Sequence, residues 1–226
     1  MVSARASVDL LIGDPNSTLT LPTTSPRVLL SCGNRLPVVC YRLSTPGEAR
    51  QDGVVGDDAC SATARRVRPT ESGTELETLM QLLDFLRATV ATKARGLTNE
   101  QAASHPVPAS ELTVSGLVKH LTGTERFWFS IDFAALDVPW PWTDDDPHGD
   151  FTLTTTDTLG NLVAGYEAEC ERSRRAVAGQ ELDAIARTEG LNFSLRYALA
   201  HMIEETARHC GHLDLLRESI DGATGQ

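Results

Sequence analysis

Between Ser194 and Ile220 the chain reads as one uninterrupted helix, and the stripe it turns inward is not uniformly apolar. Steps of three and four from Leu195 reach Ala198, Met202, Glu205, His209, His212 and Leu216. That spacing is the core-facing seam of a bundle helix. Its middle nevertheless holds a carboxylate and two imidazoles. Buried polar groups are costly unless something satisfies them, so any fold that buries this stripe must also supply partners for it. Glu205 and His209 stand at i and i+4 and project side by side from one face, which is how a helix presents two ligands to a metal ion.

Three further segments share the helical period. Leu76, Leu79, Leu83, Leu86 and Val90 mark a first helix from Thr74 to about Gly96, after which Thr98-Asn-Glu-Gln101 has the form of a capping box around a single turn. Pro106 and Pro108 then force a loop. A second helix is predicted over 113–136 and a third over 157–178, where Leu159, Leu162, Val163 and Tyr166 share a side. The last helix stops at Asp221-Gly222. Four helices of this length with no strand pattern between them predict an all-α four-helix bundle. Apolar content of 41% is sufficient for its core. The connection over 138–155, rich in Pro and Asp and carrying Trp140 and Trp142, is long enough to cross an end of the bundle.

Residues 1–70 differ in character. Pro, Ser, Thr, Gly and Arg dominate without period, around two short apolar runs at Val28–Leu30 and Val38–Tyr41. The expectation is a low-structure, mostly disordered extension, which an upstream start codon would also produce, followed by a folded domain over 71–226. Charge divides at the same point. Residues 1–71 hold eight Arg against seven Asp or Glu, whereas the remainder holds 12 Lys or Arg against 24 Asp or Glu. So acidic a body repels phosphate backbones and argues against nucleic acid as a partner. No apolar run is long enough to span a membrane. Leu29-Leu-Ser-Cys32 lacks the hydrophobic run of a lipoprotein signal, and the five cysteines show neither metal nor disulfide spacing. A reduced, cytoplasmic setting follows.

The second helix offers a partner for the polar stripe. His120 has Gly116 and Leu117 one turn before it and Gly123, Thr124 and Phe127 after it, which puts it on the inward face. Each helical glycine costs roughly 0.5–1 kcal/mol relative to alanine, so the space beside His120 is expected to be used. His120, Glu205 and His209 would form an N/N/O set with room for a further ligand, the arrangement of a catalytic rather than a structural site. The bland reading weighs against each residue singly, because a lone inward His is more often a hydrogen-bonded core residue. His201, four residues before Glu205, stays open as a ligand, although its flank also carries Arg208. Glu204 points about 100° from Glu205 and reads as solvent-facing. His212 could orient His209, shuttle a proton or serve as fourth ligand. Cys210 points away from His209 and reads as a small core residue, not a nucleophile. Phe127 and Trp128 read as core filling, and Asp144–Asp146 as a solvated loop without calcium-ligand spacing.

Several stretches resemble a known family. They are Arg68-Pro-Thr-Glu-Ser-Gly73, Leu82-Leu-Asp-Phe-Leu-Arg-Ala-Thr89, Gly116-Leu-Val-Lys-His-Leu121, Glu125-Arg-Phe-Trp-Phe129 and above all the run from Leu195 to Arg217 that contains His201-Met-Ile-Glu-Glu-Thr-Ala-Arg-His-Cys-Gly-His212. Residues from about 69 to 224 are similar to the DinB-like (DinB/YfiT-like) metalloenzyme family, in particular its actinobacterial branch related to mycothiol-dependent maleylpyruvate isomerase. The resemblance implies an up-down-down-up four-helix bundle holding a divalent ion, with zinc the expected metal. The family's usual ligands are one His on the second helix and a His-x3-His pair on the last. Here the first member of that pair is Glu205, so the implied set is His120, Glu205 and His209, with His212 as a catalytic candidate beside them. Family members include thiol-dependent transferases and isomerases, which implies a metal-dependent S-transferase using mycothiol or a related thiol on small electrophiles. A homodimer is compatible with this. The isomerase has a further C-terminal domain, whereas this chain ends at Gln226, so the isomerase reaction itself is not expected. The alternatives are a non-catalytic, stress-associated metal-binding bundle, a dimeric interaction module with a vestigial site, and a metal-dependent hydrolase.

Overall fold

The computed structural model describes residues 66–225. The expectations for the extension, including its two short apolar runs and Cys32, Cys40 and Cys60, lie outside the described residues or at their edge. Among the described residues there are five α-helices: α1 (Glu75–Ala94), α2 (Asn99–Ala102), α3 (Val114–Glu125), α4 (Leu159–Val177) and α5 (Leu195–Asp221). Among the described residues there is no strand, only an isolated antiparallel bridge between Ile185 and Ser194.

Local sequence sets these boundaries. Each helix opens on a Thr or Ser whose side chain accepts a backbone N–H of the first turn: Thr74, Thr98, Thr113, Thr158 and Ser194. Thr74 with Glu77, and Thr98 with Gln101, complete reciprocal capping boxes. α5 ends where Gly222 takes a left-handed conformation at φ 72° and donates its N–H to Glu218.

One departure from the expected elements matters for function. The second long helix does not stay α-helical, because Arg126–Phe133 continues α3 as a π-helix. Such wide turns are uncommon and occur often at functional sites. The carbonyls at the end of this stretch are taken up by the loop before α5: Arg187 donates its backbone N–H to Phe133 and Thr188 its hydroxyl to Ile131. The π turn also separates neighbouring rings. Phe129 and Phe133 are fully buried, whereas Phe127 and Trp128 are only half-buried. Trp128 packs at the edge of the core and Phe127 lies outside it, so the core-filling expectation holds fully for neither.

The core divides into two clusters, and the helices pass from one to the other at polar residues. α1 runs from Leu83 through Arg87 to Val90, and α5 from Met202 through Thr206 to Leu213. α3 and its π extension run the opposite way, from Leu121 through Glu125 to Phe129, and α4 follows from Cys170 through Ser173 to Val177. This register gives the expected up-down-down-up order. α1 packs mainly on α5 and α3 mainly on α4. α3 and α4 point the same way, so the segment joining them must return along the length of the bundle.

The belt between the clusters is held by a buried ion pair. Arg87 Nε and Nη2 donate to the two oxygens of Glu125 at 2.7 and 2.6 Å, and Nη1 donates to Asp84 at 2.9 Å. Arg87 is 4% exposed and Glu125 0%. Burial alone would lower the Arg87 pKa, but Glu125 beside it raises it, and the guanidinium stays charged. The fork-to-fork geometry leaves both buried charges partnered.

Candidate metal centre

The polar stripe of α5 meets α3 at His120. His120 Nε2 lies 3.2 Å from Glu205 Oε1, and His209 Nε2 lies 3.0 Å from the same oxygen. One ligand atom from each of the three residues falls within 4.8 Å of the other two. A tetrahedral ion with bonds of about 2.0–2.1 Å places its ligands roughly 3.4 Å apart, so this set can close on a divalent ion with small side-chain adjustments. The cluster is semi-enclosed, with His120 14% and Glu205 13% exposed at the side chain.

Each member is oriented from outside the trio. Asp150, buried in the 138–155 connection, has Oδ2 at 2.6 Å from His120 Nδ1. With Nδ1 donating to Asp150, loss of the Nε2 proton would leave the Nε2 lone pair facing Glu205 and His209, the form that ligates a metal. Phe151 stacks on the His120 ring at 4.1 Å and 15°. Arg208 Nη1 donates to Glu205 Oε2 at 2.5 Å, which turns Oε1 toward the imidazoles. Arg208 also pairs with the exposed Glu204, in keeping with Glu204's expected solvent-facing role. His212 Nδ1 lies 3.1 Å from His209 Nδ1, on the side of the ring remote from Glu205.

The electrostatics agree with this geometry. Hydrogen bonds from His120 and then His209 hold the Glu205 carboxyl well below the usual carboxylate range, against the opposing effect of burial. Burial works to lower the His120 pKa, but Asp150 and Glu205 outweigh it and the net shift is upward. His212 moves down because of burial and the adjoining His209 and Arg208. A neutral His212 can accept the His209 Nδ1 proton.

The glycines beside His120 turn out to make room for the chain itself. A Cβ on Gly123 would come within 3.0 Å of Pro141 Cβ and 3.4 Å of Asp150 Cβ, and one on Gly116 within 3.3 Å of the Phe151 carbonyl oxygen. The missing side chains let the returning segment lie against α3 and deliver Asp150 and Phe151 to the imidazole. Sequence reasoning missed Asp150 and the role of Arg208. The nearest signal for Asp150 was Gly149-Asp-Phe151 at the end of the Pro/Asp-rich segment. Asp144, Asp145 and Asp146 are exposed, as expected of a solvated loop.

The remaining candidates separate cleanly. His201 is outside the trio and packs against Trp128, with ring centroids 4.3 Å apart. Cys210 is buried, contacts the Leu86 carbonyl at 3.7 Å, and has its thiol pushed up to about 12 by burial and Asp214. It remains a protonated core residue. A cavity of about 510 Å³ between α1 and α4 is lined by Asp84, Arg87, Tyr166, Cys170 and Arg174, and by none of the three clustered residues. The His120, Glu205 and His209 cluster is thus separate from this cavity.

A family profile described as Mycothiol-S-transferase matches residues 78–222, a span that contains His120, Asp150, Glu205, Arg208, His209 and His212. The chain belongs to the mycothiol-S-transferase family. This is a DinB-like family, in line with the resemblance noted from the sequence. No curated protein matches the chain. Among solved structures, a conserved protein from Enterococcus faecalis is 15% identical, with a TM-score of 0.47 over 67% of this chain and 100% of that chain. No described helix is long and apolar enough to cross a membrane.

Proposed function

We propose that the protein is a divalent-metal-dependent S-transferase that joins a mycothiol-type thiol to a small electrophile, with zinc as the metal and the reduced cytoplasm as its setting. The domain responsible is the bundle over 71–226. The observation that carries this reading is the convergence of His120, Glu205 and His209 on one point from two helices, in a chain of the mycothiol-S-transferase family. These three residues would hold the ion and leave a position for an exogenous ligand. A divalent ion in such a site supplies a Lewis acid that lowers the pKa of a coordinating thiol.

The chain's own residues prepare the site. Asp150 fixes the His120 tautomer, Arg208 turns Glu205, and His212 holds His209 through Nδ1. His212 acts through His209 and is therefore proposed as a positioning residue that can also relay a proton to solvent. The nucleophilic sulfur belongs to the small-molecule thiol, because burial raises the pKa of both described cysteines, Cys170 and Cys210.

The test is elemental analysis of the purified protein, followed by conjugation of a chromogenic electrophile with mycothiol. The expected result is one divalent ion per chain and turnover that needs the thiol, both lost in His209→Ala with the fold intact by circular dichroism. A metal-free protein of full activity refutes the metal dependence. Thiol-independent ester or amide cleavage would favour a hydrolase, and a stoichiometric ion with neither thiol binding nor turnover would favour a non-catalytic metal-binding bundle.

A further inference from the structure

Aromatic residues are scarce at 5% of the chain, yet half of them form one partly exposed network beside the metal centre. Phe127 contacts Trp128, Trp140 and Trp142 at 5.9, 5.7 and 5.0 Å between centroids, and Trp128 contacts Tyr197 at 6.0 Å and His201 at 4.3 Å. The network starts one helical turn from the centre. His201 precedes Glu205 by four residues, an axial rise of about 6 Å. The rings come from the π-helix, the returning segment and α5, and they are mutually tilted by 39° to 85° in these contacts.

We infer that these rings line a trough that is the electrophile subsite and that selects uncharged planar aromatic electrophiles over aliphatic or anionic ones. The inference rests on the S-transferase reading of the neighbouring centre. Three observations support it. Tilted rings offer edge and face contacts to an inserted ring. Only Trp140 and Tyr197 are strongly exposed, at 59% and 55%. Given 150–250 Å² per aromatic side chain, that leaves on the order of 250 Å² of exposed ring surface in total, well short of the roughly 800 Å² per partner of a stable protein interface. Finally, the segment carrying Trp140 and Trp142 runs on into exposed Asp144, Asp145 and Asp146, a negative rim that repels anions. In the reaction served, the thiol sulfur forms a C–S bond to the ring carbon. The carbon–halogen bond breaks, halide departs with the bonding pair, and the thiol proton passes to the buffer.

The three tryptophans of the chain all lie in this network, so intrinsic fluorescence reports on the trough. The full-length protein is titrated with 2,4-dinitrotoluene, which is neutral and unreactive, and with 2,4-dinitrobenzoate, which is anionic. The expected result is saturable quenching by the first and at least tenfold weaker binding of the second. Trp140→Ala/Tyr197→Ala alters two exposed side chains, and its fold is checked by circular dichroism. It is expected to lower kcat/KM at least tenfold for 1-chloro-2,4-dinitrobenzene with mycothiol and less than twofold for iodoacetamide. Non-saturable quenching, equal binding of the two nitroaromatics, an equal loss for both electrophiles, or a dimer that shields Trp140 overturns the proposal. The fluorescence arm needs neither metal nor thiol, so a protein that quenches saturably but shows no thiol-dependent turnover would sink the S-transferase reading and leave the trough in place.

Discussion

Removal of the Asp150 carboxylate isolates the contribution of the returning segment to the proposed metal centre. Asp150 makes no direct approach to the ion's place, because its Oδ2 lies 2.6 Å from His120 Nδ1, on the far side of the ring from Glu205. In Asp150→Ala the ring keeps its stacking on Phe151, but the hydrogen bond that holds the proton on Nδ1 is gone. The two tautomers become closer in energy, and the imidazole loses a charged partner that raises the basicity of Nε2. Partners of this kind are worth about 10–100-fold in metal affinity, or about 1.4–2.7 kcal/mol. Asp150→Asn keeps an acceptor of nearly the same shape without the charge and should fall between the two. Competition with a chromophoric chelator at pH 8, where proton competition at His120 is smallest, measures the effect. Asp144→Ala, an exposed neighbour in the same segment, should leave affinity unchanged. If Asp150→Ala binds zinc within twofold of the parent protein while the fold is retained, the tautomer-holding role of Asp150 is wrong.

Other outcomes follow from the same geometry. Glu125→Ala leaves the Arg87 charge buried with only Asp84 and should cost about 3–5 kcal/mol in urea unfolding, whereas the paired replacement Arg87→Met/Glu125→Leu should cost far less. Equal losses in the two proteins would show that packing, and not the uncompensated charge, decides the site. Gly123→Ala gains up to about 1 kcal/mol of helix propensity, but its Cβ would press on Pro141 and Asp150. Its metal affinity should fall, by less than in Asp150→Ala, and an unchanged affinity would mean the segment yields without moving Asp150. In the metal-free protein, His120 has a raised pKa and adds stability that is complete below pH 6.5 and disappears as pH rises through the shifted value. Glu205 has a depressed pKa, so its contribution is present above pH 4.5 and disappears as pH falls through the shifted value. Thermal unfolding of metal-free protein should therefore show this site's greatest effect between pH 4.5 and 6.5, and His120→Ala should flatten the alkaline limb. A profile identical in parent and variant would contradict the assignment.

Much of the architecture was legible in residue order alone. Helical periods, Thr and Ser caps and the Asp221-Gly222 stop are local signals, because the interactions that set them span at most a few residues. The same locality pointed to the candidate centre: a helix turns residues four apart to one face, so Glu205 and His209 declared their pairing in the linear chain, and glycines on either side of His120 marked a space beside it. What the glycines admitted was not legible. Asp150 is 30 residues from His120 and Arg87 is 38 from Glu125, and no short-range pattern records such separations. The π turn at Arg126–Phe133 was equally hidden, since its side chains look helical whichever ladder forms, and the loop contacts from Arg187 and Thr188 accompany it. Sequence by itself determined the helices, their caps and two neighbouring candidate ligands. Only the tertiary structure decided how the segment joining α3 and α4 lies along the bundle, because contacts across some tens of residues leave no short-range pattern; it brings Asp150 and Phe151 against His120 and sets Trp140 and Trp142 against Phe127.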